Sequence, residues 1–250
     1  MSKDSYKIDM CNGPVLPKVI AFSLPLMLSS CLQLLFNAAD VIVVGRFAGS
    51  TSLAAVGSTT ELLSLLTTLF IGFSIGANVN VARTLGNQDD QGTKDGIHTA
   101  VSVSILSGSA MILLGFLFGR PMLQWMGTPA DVIDKASLYL MIIFIGMPSN
   151  MAYNFGSAIL RAMGDTKRPL YFLSAAGVLN VVLNLIFVIV LHMDVAGVAL
   201  ATILSETLSA VLILNCLCRT DGPCHLNIRK LYIQKDQLIR MLRIGLPAGI

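Results

Sequence analysis

Six long apolar stretches, separated by short polar breaks, dominate the chain. They cover residues 18–44, 54–80, 97–118, 132–158, 169–191 and 195–217. Each is long enough for a transmembrane helix, which needs about 20 predominantly apolar residues. None alternates between apolar and polar positions over about ten residues, as the strands of an outer-membrane barrel would. The pattern predicts an all-α, polytopic membrane protein with a bundle of six transmembrane helices.

The breaks between the stretches hold the polar and turn-forming residues. They lie at Gly45–Ser52, Gly86–Asp95, Gly119–Thr128, Arg161–Arg168 and His192–Asp194. The last is so short that the fifth and sixth helices should form a tight hairpin. Within the third break, Arg120–Gly127 is predicted to be a short interfacial segment at the outer surface, because an aromatic ring such as Trp125 favours the headgroup region.

Composition and charge predict where the chain lies in the cell and how it is oriented in the membrane. Hydrophobic residues make up 54% and charged residues 12%, against about 25% charged residues in soluble domains. With the N-terminus inside, all but three of the 17 Lys and Arg residues fall on the cytoplasmic side; Arg46, Arg120 and Lys135 are the exceptions. This positive-inside bias predicts a protein of the cytoplasmic (inner) membrane, with the lipid bilayer and not nucleic acid as its partner.

An internal similarity predicts the domain organisation. Leu16–Pro25 and Leu238–Pro247 share a pattern of Leu, a base, apolar residues, a small residue, Leu and Pro. The similarity predicts that a second six-helix unit begins near residue 237, as in transporters built from repeats. We predict a cytoplasmic N-terminal tail (1–14), a six-helix lobe (15–218), a cytoplasmic linker (219–236) and the start of helix seven in a second lobe (237–250).

Motifs for enzymatic or structural metal chemistry are weak. Cys216, Cys218, Cys224 and His225 cluster loosely, but their spacing fits no common zinc pattern, and reduced thiols near a helix end are the simpler interpretation. Gly72–Gly76 matches the nucleophile-elbow pattern, yet it lies inside an apolar helix rather than in a strand–turn–helix. The chain is therefore not expected to be an enzyme, and no cofactor is expected beyond a coupling ion.

Polar residues inside apolar helices are costly and tend to mark ion or substrate routes. Asp40 lies in the outer half of the first stretch, where it can take a proton or hold a metal ion; the alternative is an interfacial helix end, because Arg46 follows closely. Asn180 and Asn184 are one turn apart and share a helix face. They can offer oxygens to a hard cation or simply hydrogen-bond to a neighbouring helix.

The sixth stretch carries a further set of polar residues, Thr202, Ser205, Glu206 and Ser209. Glu206 is either functional or hydrogen-bonded to another helix, whereas Glu61 lies nearer a helix end and is expected to be solvated. Pro25 and Pro148 each remove a helix hydrogen bond. We predict that Pro25 is a hinge that changes the position of Asp40.

Four segments resemble the multidrug and toxic compound extrusion (MATE) family. They are Phe36–Arg46 followed by Leu53–Gly57, Gly72–Gly86, Ala158–Pro169 and Gly197–Thr202. The resemblance runs along nearly the whole chain in the right order. It implies twelve helices in two lobes around a V-shaped cavity, and export of organic, often cationic, compounds driven by inward flow of Na+ or H+.

The resemblance also implies a cation site in the first lobe. In family members this site uses an acid on helix one, an Asn on helix five and a Thr on helix six. The matching residues here are Asp40, Asn180 and Thr202. Asn184 departs from the pattern because some members have Asp there. Glu206 would supply the missing charge if it faced the same cavity, and Asn37 and Asn154 are candidates for the cavity lining.

The resulting prediction is a cation-coupled antiporter for drugs and other small organic compounds, of which this chain is the first half. A related flippase for lipid-linked saccharides is the nearest alternative. The scarcity of Lys and Arg in the apolar stretches argues against it, since a pyrophosphate needs several bases. A membrane scaffold that transports nothing is the alternative from another class.

Overall fold

The computed structural model describes residues 15–249, so the predicted tail 1–14 lies outside the described residues. Its helices are α1 (Val15–Val43), α2 (Ser50–Gly86), α3 (Asp90–Trp125), α4 (Ile133–Ala162), α5 (Lys167–Asn184), α6 (Asp194–Cys218) and α7 (Lys235–Ala248). Six of them, α1 to α6, are long and apolar enough to cross a membrane. Across the described residues the chain forms helices and no β-strand, which confirms the all-α, six-helix prediction.

The C-terminal ends of α1 and α5 change helical form. α1 continues into a π-helical segment, Val44–Ala48, and α5 into Leu185–Val190. The two segments contact each other. The break between the first two helices is therefore shorter than the predicted Gly45–Ser52. The chain turns at Gly49 alone, whose φ of 85° suits glycine, and α2 begins at the next residue.

The predicted break Gly119–Thr128 is also shorter than expected, because α3 continues through Pro121 to Trp125; the interfacial position of Arg120–Gly127 stays a prediction. A helix of 36 residues is about 54 Å long at 1.5 Å per residue, whereas the hydrocarbon core is about 30 Å thick. The polar residues of this stretch thus mark the point where the helix leaves the apolar layer, not the point where it ends. Arg120 pairs there with Asp134 at 2.9 Å.

α4 occupies the centre of the bundle, where it packs against α2, α3 and α6. Small residues allow this close packing. A Cβ added at Gly108 of α3 would collide with the backbone of Pro148 in α4, and one at Gly115 with the ring of Phe144. α1 lies at the edge of the bundle and packs mainly on α5, so that its polar residues face α5 and α6.

The segment between α6 and α7 is held against the N-terminal end of α3. The ring of Tyr232 stacks on His98 with centroids 5.1 Å apart, and its hydroxyl donates to Asp95 at 2.5 Å. The backbone N–H of Asn227 donates to Nε2 of His98 at 3.3 Å. Burial, together with the bond to Asp95, raises the pKa of Tyr232 to about 12, so the phenol stays a hydrogen-bond donor at physiological pH.

α7 packs against α2 along a line of glycines. A Cβ at Gly72 would lie 2.6 Å from the carbonyl oxygen of Gly245, and a Cβ at Gly76 would collide with the backbone of Met241. This contact supports the packing interpretation of Gly72–Gly76. α7 begins at Lys235, two residues before the predicted start of the second lobe.

Candidate functional site

The four residues predicted for a cation site form one hydrogen-bonded chain where α1, α5 and α6 meet. The amide of Asn184 donates to Oδ1 of Asp40 at 2.5 Å and to Oδ1 of Asn180 at 3.1 Å. Asn180 in turn donates to the hydroxyl of Thr202 at 3.4 Å, and that hydroxyl donates to the carbonyl of Val198 at 3.0 Å. This network of polar groups links three helices.

Two features of this chain of bonds are unusual for a buried network. Oδ1 of Asn184 is buried and accepts no hydrogen bond, although Asn184 is 0% exposed; buried polar atoms are normally paired. Asp40 is half-buried, and within residues 15–249 it forms no ion pair with a basic side chain. The site therefore holds an acid group and a free acceptor, with no protein cation to balance them.

A second acid reaches the same place from α6. Asp40 and Glu206 line one cavity of about 90 Å³, together with Asn37 and Asn154. Oε1 of Glu206 accepts from the amide of Asn150 at 2.8 Å. Glu206 thus has both a place in the cavity and an interhelical hydrogen bond, which were the two alternatives predicted for it.

Sequence reasoning missed Asn150 and Gln33. Asn150 lies one turn before Asn154 on α4 and accepts a bond from it at 2.9 Å, while Gln33 lies on α1 and lines the cavity. Asn150 lies four residues before Asn154 and Gln33 four residues before Asn37, and both Asn154 and Asn37 are predicted cavity-lining residues. That i, i+4 spacing, which puts two side chains on one helix face, was the available signal.

A larger cavity of about 560 Å³ adjoins the first. The two share Gln33, Asn150 and Asn154. The larger cavity extends between α1, α2 and α4 to Asn78 and Arg161. The sequence pattern placed Arg161 in a polar break between helices. Arg161 belongs instead to the last turn of α4.

The remaining candidates lie apart from the two cavities. Glu61 is exposed on α2, as expected for a solvated residue. Pro25 lies inside α1, which runs through it as a helix; the hydroxyl of Ser29 donates to its carbonyl at 2.8 Å. The hinge role of Pro25 stays a prediction.

Six helices long and apolar enough to cross a membrane, around a cavity lined by two acids that form no ion pair with a base among residues 15–249, define a polytopic helical membrane protein with a polar interior. Intramembrane acids that face such a cavity are typical of ion and substrate routes. The chain belongs to the MatE family, whose sequence profile matches residues 25–186. This match confirms the resemblance drawn from the sequence.

Individual relatives agree with the family assignment. The chain is 32% identical over 246 residues to the probable multidrug resistance protein YpnP of Bacillus subtilis, covering 97% of this chain and 54% of that protein. It is 24% identical over 237 residues to the multidrug export protein MepA of Staphylococcus aureus, covering 95% of this chain and 52% of MepA. The chain thus spans about half the length of the curated relatives it matches.

A solved structure supports the fold directly. The crystal structure of MATE in the bent conformation superposes with a TM-score of 0.88 at 27% identity, over 95% of this chain and 53% of that one. The six-helix bundle is therefore similar to the half of a MATE transporter that it covers.

Proposed function

We propose that this chain is the first lobe of a multidrug exporter in the cytoplasmic membrane, and that export is driven by inward movement of Na+ or H+ through the site at Asp40. The observation that carries the proposal is the hydrogen-bonded chain of Asp40, Asn184, Asn180 and Thr202, which has no basic partner among the described residues. Relatives named as multidrug resistance and multidrug export proteins support transport out of the cell and a range of different drugs as substrates.

The amide of Asn184 is the part of the site that best fits an ion. Its nitrogen now lies between two oxygens, Oδ1 of Asp40 and Oδ1 of Asn180, while its own oxygen accepts nothing. A half-turn of this amide would bring three oxygens together. Three converging oxygens repel each other unless a cation or proton lies among them. Ion binding would therefore reorganise the contact between α1 and α5.

Coupling follows if the ion binds the two states of the transporter with different affinity. A bond between α1 and α5 that forms only without the ion supplies such a difference.

The sizes of the two cavities are consistent with one binding the ion and the other binding the organic substrate. About 90 Å³ suits an ion with water, whereas 560 Å³ falls in the range of about 300–1,000 Å³ usual for pockets that bind organic molecules.

The cavity lining argues against a flippase for pyrophosphate-linked saccharides. Among the lining residues in the described part of the chain, Arg161 is the single base, whereas Asp40 and Glu206 are acids. A diphosphate carries at least two negative charges, and this lining would repel it at its acidic end. An organic cation is attracted to the same end.

A transport assay tests the proposal. The full-length protein is reconstituted into liposomes, and uptake of a fluorescent organic cation is followed under an imposed Na+ gradient, an imposed pH gradient, or neither. We expect accumulation with one gradient and none without. Accumulation that ignores both gradients would refute ion coupling, and no transport under any condition would favour the scaffold alternative.

A Pro25→Ala substitution tests the hinge. Proline leaves the carbonyl four residues earlier without its helix hydrogen bond, and the alanine variant restores it. We expect the stiffer helix to slow gradient-driven transport by roughly tenfold, about 1.4 kcal/mol in a conformational barrier, with equilibrium substrate affinity unchanged. A variant that transports at the wild-type rate would exclude Pro25 as a hinge.

A further inference from the structure

An exposed apolar strip runs along α3 and ends at the connecting segment, residues 219–234, between α6 and α7. The strip contains Leu106, Leu113 and Leu117, whose side chains are 56–67% exposed. They are spaced seven and four residues apart, so they share one face of the helix. In a helix long and apolar enough to cross a membrane, an exposed apolar face is the surface that acyl chains cover.

The connecting segment is hydrogen-bonded to α3 directly before this strip. Asn227, Tyr232 and Gln234 bond to four α3 residues, which are Asp95, His98, Thr99 and Ser102. The four span about 10 Å of the helix axis and lie on the face that continues into the strip. The apolar stretch of α3 begins at Ile97. The bonds therefore hold the segment beside the first turns of that stretch, where a helix that crosses a bilayer leaves the head groups.

Two bases in the segment stand between two exposed isoleucines. Ile228 is 49% exposed and Ile233 is 42% exposed. Arg229 and Lys230 are exposed, and within residues 15–249 neither pairs with a carboxylate. The side chain of Asn227 accepts a hydrogen bond from the backbone N–H of Arg229 at 3.1 Å, which fixes the turn that carries the bases. Apolar side chains next to bases are typical of segments that lie in the membrane interface.

Further bases lie beside the anchored part of the segment. Lys94 is one turn before His98 on α3, and Lys235 follows Gln234; both are exposed. Together with Arg229 and Lys230 they outnumber the two nearby acids, Asp95 and Asp236. Asp95 is already occupied, because it accepts from the hydroxyl of Tyr232 and from the amide of Gln91 at 2.7 Å. The surface is therefore positive where the apolar strip begins, and clusters of bases next to a spanning helix attract anionic lipids.

We propose that the connecting segment binds an anionic phospholipid, with the phosphate at Arg229 and Lys230 and an acyl chain along the strip from Leu106 to Leu117. The guanidinium can form two parallel hydrogen bonds to a phosphate, and the lysine adds a point charge. A zwitterionic lipid has the same phosphate, but its ammonium group is repelled by the surrounding bases. This site lies outside both cavities and does not depend on the proposed export function.

The test measures how strongly different lipids protect the fold. Purified full-length protein in a neutral detergent is titrated with phosphatidylglycerol, phosphatidylcholine or soluble glycerol phosphate, and thermal unfolding is followed. A ligand that binds the folded state raises the melting temperature as its concentration increases. We expect phosphatidylglycerol to stabilise the wild type at lower concentration than phosphatidylcholine. The double variant Arg229→Gln/Lys230→Gln should need roughly tenfold more phosphatidylglycerol for the same rise, since each base near an anionic surface strengthens binding several-fold.

Arg83→Gln/Lys167→Gln is the matched control. It also removes two exposed bases, at the end of α2 and the start of α5. The chain alternates direction from helix to helix, so both lie at the same end of the bundle as the segment. We expect this variant to respond to phosphatidylglycerol as the wild type does. Equal weakening in the two double variants would show that only the total charge of this end matters, which overturns the proposal.

The remaining outcomes are equally decisive. An unchanged titration in Arg229→Gln/Lys230→Gln, or equal stabilisation of the wild type by both lipids, refutes the site. Glycerol phosphate that stabilises as strongly as the lipid would identify a phosphate site without a lipid. If the double variant does not fold, the wild type at about 1 M salt decides, because screening beyond about 3 Å should weaken the effect of phosphatidylglycerol alone. None of these measurements uses transport, so the export function is tested separately.

Discussion

Replacing Asp40 by asparagine should abolish ion-driven export while leaving the fold intact. The amide oxygen introduced by Asp40→Asn still accepts the bond from Asn184, so the contact between α1 and α5 survives. The negative charge that attracts the ion does not. We expect gradient-driven accumulation of an organic cation to fall roughly 100-fold, the upper part of the range for a coupling free energy between two sites.

The measurement is uptake into liposomes by the full-length protein, with and without the ion gradient that drives the wild type. Glu61→Gln is the matched control, because it removes an acid of the same charge from an exposed position on α2. It should transport normally. Full accumulation by Asp40→Asn would remove Asp40 as the coupling residue and would direct attention to Glu206, the other acid in the cavity.

The second large effect is expected where α2 and α7 touch. A Cβ at Gly76 would collide with the carbonyl oxygen of Met241 and lie 3.0 Å from the nitrogen of Gly245. Both are backbone atoms, which cannot rotate away. We expect Gly76→Ala to separate the two helices and to destabilise the protein by about 1–3 kcal/mol, the usual cost of overpacking.

Gly57→Ala is the control in the same helix, since a Cβ there meets nothing within 4 Å. Alanine is about 1 kcal/mol better than glycine inside a helix, so the two identical substitutions should change stability in opposite directions. Thermal unfolding of the purified full-length protein measures both. Equal melting temperatures for the two variants would mean that the contact between α2 and α7 adds nothing to stability.

The helices and the meeting of four polar residues inside the bundle were predictable because both depend on local pattern. Asp40, Asn180, Asn184 and Thr202 stand out as polar residues in apolar helices, and spacing within α5 alone places its two amides on one face. Nothing in the sequence gives the rotation of α4 relative to α6, so the bond between Asn150 and Glu206 could not be foreseen.

Arg161 shows why polarity alone misplaces residues near the ends of helices. A charged residue that follows an apolar stretch predicts a loop, and Arg161 was assigned to one. Its helix in fact extends to Ala162, and the long side chain reaches back along the helix, as helical side chains do. The direction in which a side chain points is a tertiary property that hydropathy does not record.

The wide π turns after Asp40 and Asn184 have a consequence for the end of the bundle where they lie. A π turn spans five residues between bonded groups instead of four, so the helix beyond it is out of register by one residue, about 100° of rotation. Val44–Ala48 leads through Gly49 into α2, and Leu185–Val190 leads through three residues into α6. Tightening either segment to α geometry would therefore shift the end of α1 or α5 relative to the helix that follows it, at the place where the two π segments contact each other.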